Sequence, residues 1–166
     1  MSAAPKRDLD DRTQIHDLVV SFYREIVFDD LLGPVFGEVA EVDWSVHIPK
    51  LIDYWCRVLL GHPGYDGFIL TPHEQLHALE PLRPEHFDRW YTLFAKAVDE
   101  RWEGPVAERA KAHAARMAVT LARRILDVDW AAQPLPVHPT TKALALTLGI
   151  SMVILLLAAA STFGAR

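Results

Sequence analysis

Apolar residues recur at helical spacing in four separate segments of the chain, and no stretch alternates apolar with polar long enough to form a strand. The first stripe runs through Ile15, Leu18, Val19, Phe22, Tyr23, Ile26 and Val27 and stops at Asp29-Asp30 and the Gly33-Pro34 turn. The second holds Trp44, Ile48, Leu51, Tyr54, Trp55, Val58 and Leu59 and ends at Gly61-His62-Pro63-Gly64. Pro49 lies early in that stripe, so the regular helix either begins after about Ser45 or has bent first turns, because an interior proline removes a backbone donor. Two further stripes cover Glu85 to Trp102 and Val106 to Leu126, the latter opened by Gly104-Pro105. Between them, Tyr65 to Pro84 contains Pro72, Pro81 and Pro84, which predicts a loop with a short helix confined to about 73–80. The fold class is therefore all-α, with about four substantial helices.

A chain of 166 residues with one cysteine, Cys56, has room for one domain and an appendage, and it cannot form an internal disulfide. The net charge of −5 and the lack of basic runs give no surface for tracking phosphates, so nucleic acid is not expected as a partner. Residues 143–165 include 17 apolar side chains out of 23 and no charge, with Lys142 and Arg166 at either end. A helix of that length reaches about 34 Å, enough to cross a hydrocarbon core, so a C-terminal transmembrane helix is expected. Pro134, Pro136 and Pro139 make 127–142 a proline-rich linker to it. Residues 1–14 are read as an N-terminal extension; they are charged and lack an apolar core segment, so no signal peptide is expected. That arrangement predicts a domain over 15–126 held at the cytoplasmic face of a membrane.

Two patterns carry chemistry. His73-Glu74-Gln75-Leu76-His77 matches H-E-x-x-H, which on a helix sets two imidazoles on one face to bind zinc and offers the glutamate as general base. The prolines at 72 and 81 leave barely two turns for it, and no third ligand stands out, so a zinc hydrolase is the alternative reading; a non-catalytic, membrane-anchored interaction module is another. The second pattern is a series of separated motifs: Phe22-Tyr23, Trp44-Ser-Val-His47, Tyr54-Trp55, Leu59-Leu60-Gly61, Tyr65-Asp-Gly67, His77 and Pro84-Glu-His-Phe-Asp-Arg-Trp90.

In order and interval these motifs resemble a truncated haemoglobin, and in detail group III of that family, over roughly Ile15 to Leu126. The resemblance implies a two-over-two helical sandwich around haem b, whose iron takes one imidazole and leaves its other face for dioxygen, nitric oxide or carbon monoxide. It puts the proximal ligand at His77, with His73 four residues earlier as the alternative. It implies that Tyr23 donates a hydrogen bond to the ligand, that His47 lines or gates the pocket, and that the Trp90 indole N–H reaches the ligand from the far side. Phe22, Leu51, Tyr54, Trp55 and Phe87 would wall the cavity or cover the porphyrin, and Lys50 would meet a haem propionate. Reversible gas binding is the implied activity, with nitric oxide dioxygenation served by a separate reductase, or a peroxidase-like reaction, as catalytic extensions. Pro49 departs from the family pattern just after His47.

Overall fold

The computed structural model describes residues 5–40 and 42–132. Five α-helices and one short π-helical turn make up the ordered elements: α1 (Arg12–Val27), the π turn (Val35–Val39), α2 (Trp44–Leu60), α3 (Leu70–Leu79), α4 (Pro84–Arg101) and α5 (Pro105–Leu126). Helix α1 packs on α2 and α4 packs on α5, and the two pairs meet through α1 against α4 and α2 against α5. This is the two-over-two arrangement, with α3 resting on α5 at one side. The transmembrane helix expected over 143–165 lies outside the described residues, as does the linker beyond residue 132. Among the described residues no helix is long and apolar enough to cross a membrane.

Local chemistry sets each helix end. Asp11 opens α1 by accepting from the Gln14 N–H at 2.8 Å, and Asp43 opens α2 by accepting from the Ser45 N–H at 3.0 Å, each satisfying a donor that the first turn leaves orphaned. Helix α2 runs unbroken from Trp44 through Pro49, so it begins earlier than a start after Ser45 would have it. Gly61 closes it in the left-handed conformation (φ +71°), with the His62 N–H bonded back to the Cys56 carbonyl. Helix α3 starts at Leu70 rather than residue 73, because Pro72 falls in the first turn, where its missing N–H would have had no intrahelical partner.

The N-terminal segment belongs to the fold. Leu9 is fully buried, and the Asp8 carboxylate caps α5 by accepting from the Val106 N–H (3.0 Å) and the Ala107 N–H (2.8 Å). Gly104, at φ +137°, lets the two segments meet, since a Cβ there would sit 2.6 Å from Asp8 Cγ. At the far end of α5, Trp130 is buried and its indole N–H donates to Asp88 at 2.7 Å. The buried Arg89–Asp29 pair (3.0 Å) ties α4 to the turn after α1.

The main core collects α1, α2, α4 and the first half of α5 around Phe22, Trp55 and Phe94. A smaller cluster of Val35, Leu82, Phe87, Leu121 and Trp130 lies under the α3 side.

Candidate functional site

Tyr23 faces inward from α1 and is nearly fully buried. Its ring lies 6.0 Å from that of His47, 5.8 Å from Trp44 and 6.1 Å from Phe36, so α1, the π turn and α2 converge on it. Burial pushes the phenol well above its ordinary pKa, while the hydrogen bond donated by the Trp90 indole pulls the other way. Tyr23 therefore stays protonated, with its oxygen accepting from Trp90 and its own O–H left to donate. The Trp90 N–H, which the resemblance brings to a ligand, meets the Tyr23 oxygen. Burial also pushes His47 down, and the nearby His73 and Lys50 push it the same way, which keeps the imidazole neutral at physiological pH.

The two α3 histidines differ in their second nitrogen. His73 Nδ1 lies 2.7 Å from the carbonyl of Ile69, four residues earlier; a carbonyl only accepts, so Nδ1 carries the proton and Nε2 holds a free lone pair. Burial pushes His73 down as well, which favours this neutral form. His77 shows the opposite pattern. Its Nδ1 accepts from the Leu82 N–H at 2.9 Å, which sends the proton of the neutral ring to Nε2. A metal-ligating imidazole commonly donates its other N–H to a backbone carbonyl, and His73 alone has that arrangement. The two histidines expected as alternative ligands thus differ in the nitrogen that carries the proton, Nδ1 in His73 and Nε2 in His77.

The remaining expected residues divide. Phe22 packs edge-on against Tyr23, Trp90 and Phe94, immediately behind the Tyr23 hydroxyl's environment. Leu51 is half-buried against the main core, and Lys50 is exposed on α2. Trp55 is stacked on Phe94 at 4.8 Å deep in the core, and Phe87 is buried in the smaller cluster. Tyr54 is buried too, with its hydroxyl 2.6 Å from Nε2 of His113, a residue that sequence reasoning left unassigned. As for a zinc site, no group of three or more His, Cys, Asp or Glu side chains is arranged to hold a metal among the described residues. Phe36 and the Ile69 carbonyl were likewise missed, since neither carries a signal of its own in the sequence.

The chain superposes on the crystal structure of a group III truncated hemoglobin from Campylobacter jejuni with a TM-score of 0.63, covering 73% of this chain and 95% of that one at 24% identity. The fold is that of a truncated globin. In sequence, the chain is 29% identical over 104 residues to a group 3 truncated hemoglobin of Campylobacter jejuni, an alignment spanning 58% of this chain and 80% of the relative. No protein-family profile matches.

Proposed function

We propose that this chain is a haem-binding globin whose pocket, between His73 and the Tyr23–His47 pair, takes dioxygen or a related diatomic gas. The observation that carries the reading is the hydrogen bond from His73 Nδ1 to the Ile69 carbonyl, which leaves a lone pair at Nε2 on an imidazole close enough to His47 to lower its pKa. Haem b, when bound, supplies an iron that accepts one imidazole nitrogen and keeps a coordination position for gas. In this reading His73 would hold the iron, and His77 secures the end of α3 through the Leu82 N–H.

On the opposite side Tyr23 supplies the polar contact. With its oxygen accepting from Trp90, its O–H would be the donor to a bound gas, and burial would strengthen that hydrogen bond relative to water. His47, neutral and half-buried, adds a second polar group beside it, and the exposed Lys50, one turn further along α2, offers a cation to a haem propionate. The membrane-anchored, cytoplasm-facing placement drawn from residues 143–165 completes the proposal; sedimentation of the full chain with membranes supports it, and recovery in the soluble fraction without detergent removes it.

An absorption spectrum of the purified full chain tests the haem reading. A strong Soret band is expected, and a colourless protein carrying stoichiometric zinc would replace this reading with the hydrolase. His73→Ala is expected to lose tight haem retention while His77→Ala keeps the band. The reversed pattern would move the iron ligand to His77 without disturbing the rest.

A further inference from the structure

Tyr54 and His113 form a part-buried polar contact on which the proposed function does not draw. Tyr54 comes from α2 and His113 from α5, and the phenol oxygen is 2.6 Å from Nε2, with Met117 Sδ 3.4 Å away as a second, weaker neighbour. Around this pair the rings are continuous. Tyr54 lies 5.2 Å from the half-exposed Tyr65 on one side and 5.4 Å from Trp55 on the other; Trp55 is also 5.6 Å from His113. Trp55 stacks on Phe94 at 4.8 Å and 17°, Phe94 stacks on Trp90 at 5.5 Å and 10°, and the Trp90 indole is bonded to Tyr23. An unbroken series of ring contacts therefore connects the Tyr23 pocket with the surface near Tyr65.

Tryptophan and tyrosine are the side chains most easily oxidised by one electron, and an oxidised phenol becomes a strong acid. In a low-dielectric site the resulting charge is costly unless the proton leaves at once to a base already in hydrogen-bond contact. Tyr54 has such a base. Burial and the nearby Tyr65 push its phenol up to about 12, while burial and Arg116 push His113 down, so the resting pair is a phenol facing a neutral imidazole. Tyr23 has none, because its oxygen faces an indole N–H. Among the described residues no other tyrosine hydroxyl is bonded to an imidazole.

We propose that Tyr54 and His113 are a proton-coupled redox pair, the site where an electron vacancy entering the Trp90–Phe94–Trp55 series comes to rest. In the forward step Tyr54 gives one electron through Trp55 and Phe94 to a small inorganic radical of the azidyl type acting at the tryptophans, which becomes the corresponding anion, and its hydroxyl proton passes to His113 Nε2. The products are a neutral phenoxyl radical, an imidazolium and the reduced oxidant. A small one-electron reductant at the Tyr65 surface returns the electron, and the proton goes back to the phenolate oxygen as it does so. The assignment is independent of the haem reading.

Pulse radiolysis of the purified full chain with azidyl radical as oxidant tests it, because azidyl takes one electron to become azide. Transient absorption and freeze-quenched electron paramagnetic resonance separate tryptophanyl from tyrosyl radicals. The expected result is a tyrosyl signal that grows as tryptophanyl decays, at a rate independent of protein concentration and slower in deuterated water. Tyr54→Phe should remove most of that signal and prolong the tryptophanyl lifetime by about tenfold or more. His113→Gln keeps a hydrogen-bonding partner without an adequate base, and should slow tyrosyl formation by about tenfold and erase the solvent isotope effect. Tyr65→Phe should leave the tyrosyl yield unchanged. An undiminished tyrosyl signal in Tyr54→Phe, an unchanged rate in His113→Gln, or loss of the signal in Tyr65→Phe would each overturn the assignment; the latter two hold even if Tyr54→Phe fails to fold.

Discussion

Helix α1 buries six of its sixteen residues in the main core, whereas α3 buries none of its ten, although the proposed haem site draws on both. Tyr23 on α1 is fixed by four aromatic neighbours and by Trp90. Helix α3 is held by half-buried Leu70 and Leu76 against the smaller cluster and by the hydrogen bonds of its two histidines. Tyr23, the hydrogen-bond donor in the proposal, is thus part of the folding core, and its position is set when the domain folds. The helix bearing His73 contributes little to folding and has freedom to adjust, as low-burial elements at binding sites commonly do. Axial ligation would then tighten a weakly held helix against a rigid wall.

Stability measurements can break this comparison. Trp55→Ala removes a 2% exposed indole stacked on Phe94, and should cost about 3–5 kcal/mol in urea denaturation of the haem-free protein. Leu76→Ala, on α3, should cost about 1 kcal/mol or less. Equal losses would show that α3 is as much a part of the core as α2. The next largest effect concerns the wall itself. If Tyr23 is a preorganised donor to a partly anionic ligand, Tyr23→Phe removes a charge-assisted hydrogen bond of about 1.5–3 kcal/mol and should speed dioxygen release roughly 10- to 150-fold. Carbon monoxide carries little charge on its outer atom and should change only a few-fold. Stopped-flow and laser-flash comparison of both gases decides it: equal effects would mean that Tyr23 acts through shape, and no effect would transfer the donor role to His47.

The same contrast governs what the sequence discloses. The stripes of α1, α2, α4 and α5 are legible because each presents a wide apolar face to a core, and that face imposes a helical period. Helix α3 has no such face, so its prolines confine the expected helix to about 73–80, whereas Pro72 is accommodated in the first turn of Leu70–Leu79. His73 and His77 are four residues apart and share a helix face, so only the interval to the next helix distinguishes them in sequence; that one second nitrogen meets the Ile69 carbonyl and the other the Leu82 N–H has no sequence signal. The Asp8 cap on α5 and the Tyr54–His113 contact join residues 98 and 59 positions apart, with no local pattern to announce either.

Acid should probe both sides at once. Burial is the leading cause that holds His47, His73, His86 and His113 below their ordinary pKa of 6.5, so the unfolded chain binds their protons more readily than the folded one. Their contribution to stability is complete above about 6.5 and is lost as the pH falls from there through the lowered folded values. Asp8 acts in a separate, more acidic window: burial raises its pKa, but the N–H groups of Val106, Ala107 and Leu9 outweigh that and lower it below 3.8, so its contribution disappears only as the pH falls below that value. Thermal melts of the haem-free protein should therefore fall in two stages. His73→Gln should flatten the first stage if α3 melts with the core, and leave it unchanged if α3 opens separately.

The smallest expected effect is the most direct test of how loosely α3 is held. Leu79, at its C-terminal end, is 72% exposed, so its side chain gives up little contact with water on folding. At about 25 cal/mol per Å² of apolar surface removed from water, what little it does bury leaves a transfer contribution that the loss of the leucine's helix preference would match. Leu79→Ser should therefore shift the unfolding free energy of the haem-free protein by no more than about 0.5 kcal/mol. The same substitution in the haem-loaded protein separates two pictures of the pocket. If ligation at His73 pulls α3 inward without burying its far end, the shift stays equally small. A loss several times larger in the loaded form alone would mean that the C-terminal end of α3 becomes covered on binding, and that the contrast between a rigid α1 side and an adjustable α3 side belongs to the haem-free protein only.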